Sequence, residues 1–386
     1  MPGHDAVARR VRAHLKTLTA AGLQRTLRPP RGIDLSSNDY LCLARDPRIA
    51  ERLIEGVRQE GCGSTGSRLL RGERDIFASL ERRFATFKGT DRALYFSSGY
   101  LANLAVLTTF LEEGDLVLSD SLNHASLIDG IRLSGARRIV FPHNDVEALS
   151  ALLSEQGGAS QTFVVVESLF SMNGDEPPLG RYAELCRNAG ASLIVDEAHA
   201  VGIYGTRGSG LIEEHGINDD VLVSVNTAGK ALGVSGAFVT GPEWAIEYLV
   251  QRARPFLFST AAPPALAAAL DASLDVIDAE PGRRAQLQHL ARHLRQRLAE
   301  AGWATASDRS QIIPIRVGDN ARAVALAEEL QGAGFDVRTI RPPTVPEGSA
   351  RLRVSVNIGV TEETLDRFAA ALAAAMGQLS CSAASS

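Results

Sequence analysis

Apolar positions change their spacing twice along this chain. From Val7 to Ala21 they recur at helical intervals, and Gly22 closes the stretch. Asp46-Pro47 opens a second helix, with Asp as N-cap and Pro at the first helical position. A third helix, about Ile76 to Phe87, stops at Gly89. From there short apolar runs alternate with helical stretches: Ala93–Phe96, Leu116–Leu118, Arg138–Phe141, Thr162–Val166, Ser192–Val195, Val221–Val225 and Gly236–Val239. Several runs are apolar at consecutive positions, as strands must be when helices cover both faces of a sheet. Strands separated by helices predict an α/β fold with a mostly parallel central sheet.

Past Pro263-Pro264 the texture shifts again. Ala265 to about Ala301 reads as one or two Ala- and Arg-rich helices. A strand (Gln311–Val317), a helix (Ala321–Gly332), two strands (Asp336–Ile340 and Leu352–Val356) and a last helix (Glu362–Leu379) come after it. The polar tail Ser380–Ser386 is expected to fray. The division is therefore an N-terminal helix and arm (1–45), a large α/β domain (46–275) and a smaller α+β C-terminal domain (276–386). No internal repeat or low-complexity linker is visible.

Composition narrows the classes. Of 386 residues, 45% are hydrophobic and 22% charged, which excludes wholesale disorder, collagen and a disulfide-dense mini-protein. A net charge of −5 offers no global basic field for nucleic acid or an anionic membrane. The longest apolar run, Phe368 to Met376, is too short to span a bilayer, and the first 25 residues hold no apolar signal core. Neither a signal peptide nor a membrane span is expected, so the default compartment is the cytoplasm. Cys42, Cys62, Cys186 and Cys381 are scattered and read as isolated reduced thiols, not a disulfide framework or a metal site.

In open α/β sheets ligands sit beyond the carboxyl ends of the strands. Ala93–Phe96 runs into Ser97-Ser98-Gly99-Tyr100 and a helix start, a junction that aims N–H groups toward an anion such as phosphate. On its own this turn is more often an ordinary strand–helix junction. His124, in Asn123-His124-Ala125-Ser126, comes after the next run; alone it reads as a capping or surface histidine. Thr162–Val166 leads to Glu167 and then Ser171-Met172-Asn173-Gly174-Asp175, a polar turn. Ser192–Val195 ends in Asp196-Glu197-Ala198-His199, where a carboxylate at a buried strand end needs a partner. These four residues also match a helicase signature, but no G-x-x-x-x-G-K-[ST] loop precedes them, and the only Gly-Lys, Gly229-Lys230, lies downstream. Lys230 sits among small residues after Val221–Val225, a setting that suits Schiff-base chemistry better than the solvated role of most lysines. An aspartate together with a lysine is what pyridoxal phosphate requires.

In this order, each after a strand, these residues resemble the α-oxoamine synthase family of fold-type-I enzymes dependent on pyridoxal 5'-phosphate. The likeness runs from about Ser36 to Asp366. It rests on Ser36-Ser37-Asn38-Asp39-Tyr40-Leu41, Gly63-Ser64-Thr65-Gly66-Ser67-Arg68, Ser97-Ser98-Gly99-Tyr100, Asn123-His124-Ala125-Ser126, Asp196-Glu197-Ala198-His199 and Thr227-Ala228-Gly229-Lys230. The resemblance implies decarboxylative condensation of a small amino acid with an acyl thioester. It implies that Lys230 binds the cofactor covalently, Asp196 pairs with the pyridine nitrogen, His124 stacks on the ring, and His199 meets the phenolic oxygen with Ser171 nearby. Gly99, Tyr100 and Thr227 would surround the phosphate, and Ser259-Thr260 would reach the phosphate of a neighbouring subunit in a homodimer with shared active sites. Arg25, His124, Thr344 and Arg353 would meet substrate. The segment Arg341-Pro342-Pro343-Thr344-Val345-Pro346-Glu347-Gly348, with Arg351-Leu352-Arg353 and Val317-Gly318-Asp319-Asn320, is most similar to members that join L-alanine to a pimeloyl thioester of coenzyme A or acyl carrier protein. Glycine C-acetyltransferase, 5-aminolevulinate synthase and bacterial serine palmitoyltransferase share the core motifs but not this segment. Cys42 stands where the family usually has glycine, and Ala228 is also a mild departure.

Overall fold

In the computed structural model, residues 2–155, 158–303 and 309–384 are described. Each apolar run after Gly89 becomes a strand: β1 (Arg92–Phe96), β2 (Leu116–Asp120), β3 (Arg137–Phe141), β4 (Thr162–Glu167), β5 (Ser192–Asp196), β6 (Val221–Thr227) and β7 (Ala237–Gly241). They form one sheet in the order β1-β7-β6-β5-β4-β2-β3. Only β7 runs antiparallel, to both β1 and β6. The remaining strands share one direction, so the carboxyl ends of β1, β2, β4, β5 and β6 all open on the same edge of the sheet.

The strands are continuous apolar runs because both faces are covered. Helix Gly99–Phe110 is apolar almost all round, and its Ala102, Val106 and Leu107 pack with Phe96, Val165, Ile194, Val225 and Val239 in one buried cluster. Helix ends obey the sequence signals. Asp46 caps Pro47–Glu60 by accepting from Arg48 N, and Gly89 ends Asp75–Lys88 in the left-handed conformation. Cys42 has φ +51°, a region that favours glycine, which is the physical sense of its departure from the family pattern.

The chain divides into two compact units, Asn38–Ser171 with Asp175–Leu287, and Met1–Ser37 with Met172–Gly174 and Gln288–Ser386. The N-terminal segment, read from sequence as an arm over 1–45, thus groups with the C-terminal residues through Ser37, and the later boundary falls at 287/288. The helical stretch after Pro263 is two helices, Pro264–Ala279 and Gly282–Glu300.

The second unit holds a three-stranded antiparallel sheet in the order β9-β10-β8, formed by β8 (Ile312–Gly318), β9 (Arg338–Ile340) and β10 (Ala350–Ser355). The run expected as one strand over Asp336–Ile340 is split. Phe335–Asp336 pairs in parallel with Ile33–Asp34, while Arg338–Ile340 pairs with β10. The last helix, Glu362–Ala384, continues five residues into the expected tail; residues 385 and 386 lie outside the described residues. Among the described residues no helix is long and apolar enough to cross a membrane.

Candidate active site

The turn after β1 is held by its neighbours. Ser98 caps helix Gly99–Phe110, accepting from Leu101 N at 3.3 Å. A Cβ at position 99 would lie 2.2 Å from Thr227 Oγ1, so only glycine lets the β1 turn and the end of β6 meet. A helix N-terminus beside a threonine hydroxyl is a phosphate-binding arrangement. Tyr100, next in the chain, donates its hydroxyl to Asp129 and sets its ring edge-on to His124, with centroids 6.4 Å apart.

Asp196 ends β5 with its carboxylate buried and doubly bonded. Oδ1 accepts from Ala198 N at 2.8 Å, and Oδ2 accepts from Asn103 Nδ2 at 2.7 Å. Both carboxylate oxygens thus have an N–H partner at the strand end. The neighbouring residue of the same motif has another fate. Glu197 is fully buried, paired with Lys88, and accepts from Ile212 N at 3.0 Å. The motif therefore splits into a site carboxylate and a structural ion pair.

His199 is buried between Tyr40 and Lys230. Its Nδ1 lies 2.7 Å from Tyr40 Oη and its Nε2 lies 2.9 Å from Lys230 Nζ. Tyr40 has one proton and gives it to Asn38 Oδ1 at 3.0 Å, so Tyr40 Oη accepts from His199 Nδ1–H. The His199 Nε2 lone pair then faces the amine of Lys230. The chain has three lysines. Lys16 lies on the exposed helix Pro2–Ala20, Lys88 is committed to Glu197, and Lys230 is the one at the carboxyl edge.

Glu167, which the sequence left in a polar turn, ends β4 opposite Asp196. Burial first, then the Asp196 charge, push its carboxyl up to about 8, against the pull of Lys230 and the N–H groups of His124 and Ser171. Its Oε1 and the Oγ of Ser168 are buried without a hydrogen-bond partner, as is Asn103 Oδ1. Asn103, Tyr40 and the Ser126 hydroxyl were missed as site residues. Asn103 lies within an apolar helix, and the one signal was a buried amide among Leu and Ala in Gly99–Phe110.

The donor set fits pyridoxal phosphate: an amine at Lys230, a stabilised anion at Asp196, a helix N-terminus with Thr227, and a flat ring at His124. These residues, with His199, Gly99 and Ser171, all belong to the larger unit. Thr260 is exposed and lines a small cavity with Ser97 and Arg68. Arg25, Thr344 and Arg353 belong to the other unit. Arg25 and Thr344 line a cavity of about 450 Å³ with Arg28, Arg338 and Arg341. Arg353 and Arg351 are buried on β10, where Arg353 Nη1 donates to Ser355 Oγ at 2.7 Å and Arg351 Nη1 to Asn173 Oδ1 at 2.6 Å.

A family model described as aminotransferase class I and II matches residues 30–372. The chain belongs to this family. Among curated members, the 8-amino-7-oxononanoate synthase of Anaeromyxobacter dehalogenans (strain 2CP-1 / ATCC BAA-258) is 44% identical over 380 residues, covering 95% of each chain. Two solved members share the architecture. A serine palmitoyltransferase variant from S. paucimobilis with a bound PLP–myriocin aldimine superposes with a TM-score of 0.90 at 28% identity, over 96% of this chain and 98% of that one. The 8-amino-7-oxononanoate synthase from Francisella tularensis gives 0.79 at 30% identity, over 90% and 98%. The family model and the backbone shape thus agree on a fold-type-I enzyme.

Proposed function

We propose that the protein is an acyltransferase of the 8-amino-7-oxononanoate synthase type (EC 2.3.1.47), dependent on pyridoxal 5'-phosphate and serving biotin biosynthesis. It joins L-alanine to a pimeloyl thioester, of coenzyme A or acyl carrier protein, and releases carbon dioxide. The observation that carries the reading is the 44% identity to a curated synthase over nearly the whole of both chains. The residues at the carboxyl edge of the sheet have the chemistry that this reaction needs.

Bound at Lys230, the cofactor supplies an electron sink for charge developing on the amino-acid α-carbon. Asp196, whose oxygens accept N–H groups from Asn103 and Ala198, would pair with the pyridine nitrogen and keep it protonated. Lys230 takes the α-proton of L-alanine and later returns a proton to the same carbon. His199, with its Nε2 lone pair toward Lys230, orients that amine. Between the proton transfers, the α-carbon bonds to the thioester carbonyl carbon, the thiol departs, and the carboxylate leaves as carbon dioxide. Gly99, Tyr100 and Thr227 would hold the phosphate. Arg353 grips the amino-acid carboxylate through its two-pronged guanidinium, and Arg25 and Thr344 meet the acyl substrate.

The working form in this reading is a homodimer in the cytoplasm, with Thr260 of one chain completing the phosphate site of the other. A second reading, a member acting on glycine or serine, draws on the shape likeness to serine palmitoyltransferase. Incubation with L-alanine, glycine or L-serine and a pimeloyl thioester, followed by mass spectrometry, separates the two. The proposal predicts 8-amino-7-oxononanoate from L-alanine; turnover with serine or glycine alone would overturn it.

A further inference from the structure

We infer that Asn103 and Ser126 are positioning residues that lock His124 as a neutral imidazole carrying its proton on Nε2. A chain of groups, buried from Asp196 through Asn103 to Ser126, fixes the direction of each hydrogen. Asp196 Oδ2 accepts only, so the Asn103 group at 2.7 Å is the amide nitrogen. The same nitrogen has a second hydrogen, and it lies 2.9 Å from Ser126 Oγ. Asn103 Oδ1 has no partner, so both polar contacts of this side chain are donations. The Ser126 hydroxyl therefore accepts from Asn103 and spends its own proton elsewhere.

That proton goes to His124. Ser126 Oγ lies 2.7 Å from His124 Nδ1. The backbone N–H of Ser126 also points at Nδ1, at 3.3 Å, because His124 caps helix Ala125–Ser134. Two donors converge on one ring nitrogen. A proton on Nδ1 would face both, so Nδ1 is the lone-pair nitrogen and the ring proton sits on Nε2. Asn103 and Ser126 are 2% and 0% exposed, which leaves water little chance to substitute for either group.

The charged surroundings agree. His124 is exposed, yet enough protein surrounds it that desolvation lowers its pKa; the Lys230 charge lowers it further, against Asp196 and Asp129, which raise it. The consequence, which rests on the function proposed above, is electrostatic. A pyridine ring held protonated at Asp196 carries positive charge, and an imidazolium stacked on it would oppose that charge. The relay makes the same amide that steadies Asp196 also keep His124 uncharged.

The test is the protonation state of His124 in the holoenzyme labelled with imidazole-¹⁵N histidine, read from long-range ¹H–¹⁵N correlation spectra. His124→Gln assigns the resonance. At neutral pH the relay predicts a single neutral form with the proton on Nε2; a proton on Nδ1, an even mixture, or an imidazolium would overturn it. In Ser126→Ala and Asn103→Ala the tautomers should mix and the titration midpoint should rise toward that of an ordinary histidine, while Ser126→Thr, which keeps the hydroxyl, should restore the wild-type spectrum. Unchanged His124 resonances in the alanine variants would refute the relay, and the wild-type spectrum decides the tautomer whether or not the variants fold. None of these readouts depends on product formation, so a wrong substrate assignment leaves them intact.

Discussion

Replacing Asp196 by Asn changes one atom and asks two separate questions of the site. The carboxylate accepts two N–H groups, one on each oxygen, from Ala198 at 2.8 Å and Asn103 at 2.7 Å. An asparagine has one carbonyl oxygen, so its amide nitrogen must face either Ala198 N–H or the Asn103 amide. One buried donor is left without an acceptor, which costs about 1–3 kcal/mol of stability. A fold with ordinary stability of roughly 5–15 kcal/mol survives that loss. In the proposed mechanism the chemistry loses more, because the carboxylate that would pair with the pyridine nitrogen is gone. Removing one such electrostatic group typically lowers turnover by about 10²–10³-fold, or about 2.7–4 kcal/mol. The carboxyl of Glu167, held up in part by Asp196, should fall back toward the ordinary carboxylate range in this variant. Urea unfolding gives the first number. Exchange of the α-proton of L-alanine in deuterated water, with pyridoxal phosphate saturating, gives the second. Exchange within about threefold of wild type would refute the role assigned to Asp196, since a reduction of two to three orders is expected.

Three further outcomes are expected. Lys88→Met should cost about 3–5 kcal/mol by leaving Glu197 charged and unpaired in the interior, while keeping the absorbance of bound cofactor. Lys88→Met with Glu197→Gln should recover most of the loss in urea midpoint, and a lost cofactor band at unchanged stability would put Glu197 in the site instead. Burial alone would push His143 down, but hydrogen bonds to Asp120 and Asp175 outweigh it and hold it up at about 9. A raised histidine stabilises fully below its unfolded pKa near 6.5 and loses that contribution as pH rises to about 9, so wild type should lose about 3 kcal/mol across this window relative to His143→Gln. Equal slopes in the two proteins would contradict the assignment. Arg353→Ala should raise the KM for L-alanine about thirty-fold or more with a small change for the thioester; Arg353→Lys should recover part of it, and an unchanged alanine KM would make Arg353 a structural residue of β10.

The pattern of apolar runs was enough to locate every strand of the large sheet, because parallel strands covered on both faces are hard to mistake. The residues just beyond each strand then brought Asp196, His199 and Lys230 together, since carboxyl ends share one edge. Three features resisted. The break in Asp336–Ile340 depends on pairing with Ile33–Asp34, three hundred residues away in sequence, which no local pattern carries. The burial of Arg351 and Arg353 is a second: every residue of β10 is buried and its arginines are held by Ser355 and Asn173, partners that no local pattern names. Asn103 gave only the signal of an amide in an apolar helix, because its role lies in a hydrogen bond to a strand end far along the chain. Asp-Glu-Ala-His shows the converse: four adjacent residues were legible as a motif, but only the turn after β5 tells which carboxylate faces the chemistry and which meets Lys88.

Lys230 is the amine that binds the cofactor in this mechanism, and a chain with three lysines makes that assignment easy to test. Protein loaded with pyridoxal phosphate is reduced with borohydride, digested, and mapped by mass spectrometry. The geometry predicts a pyridoxyl group on the peptide containing Lys230 and none on those containing Lys16 or Lys88. A label on either of those two, or no label on a protein that is yellow before reduction, would contradict it.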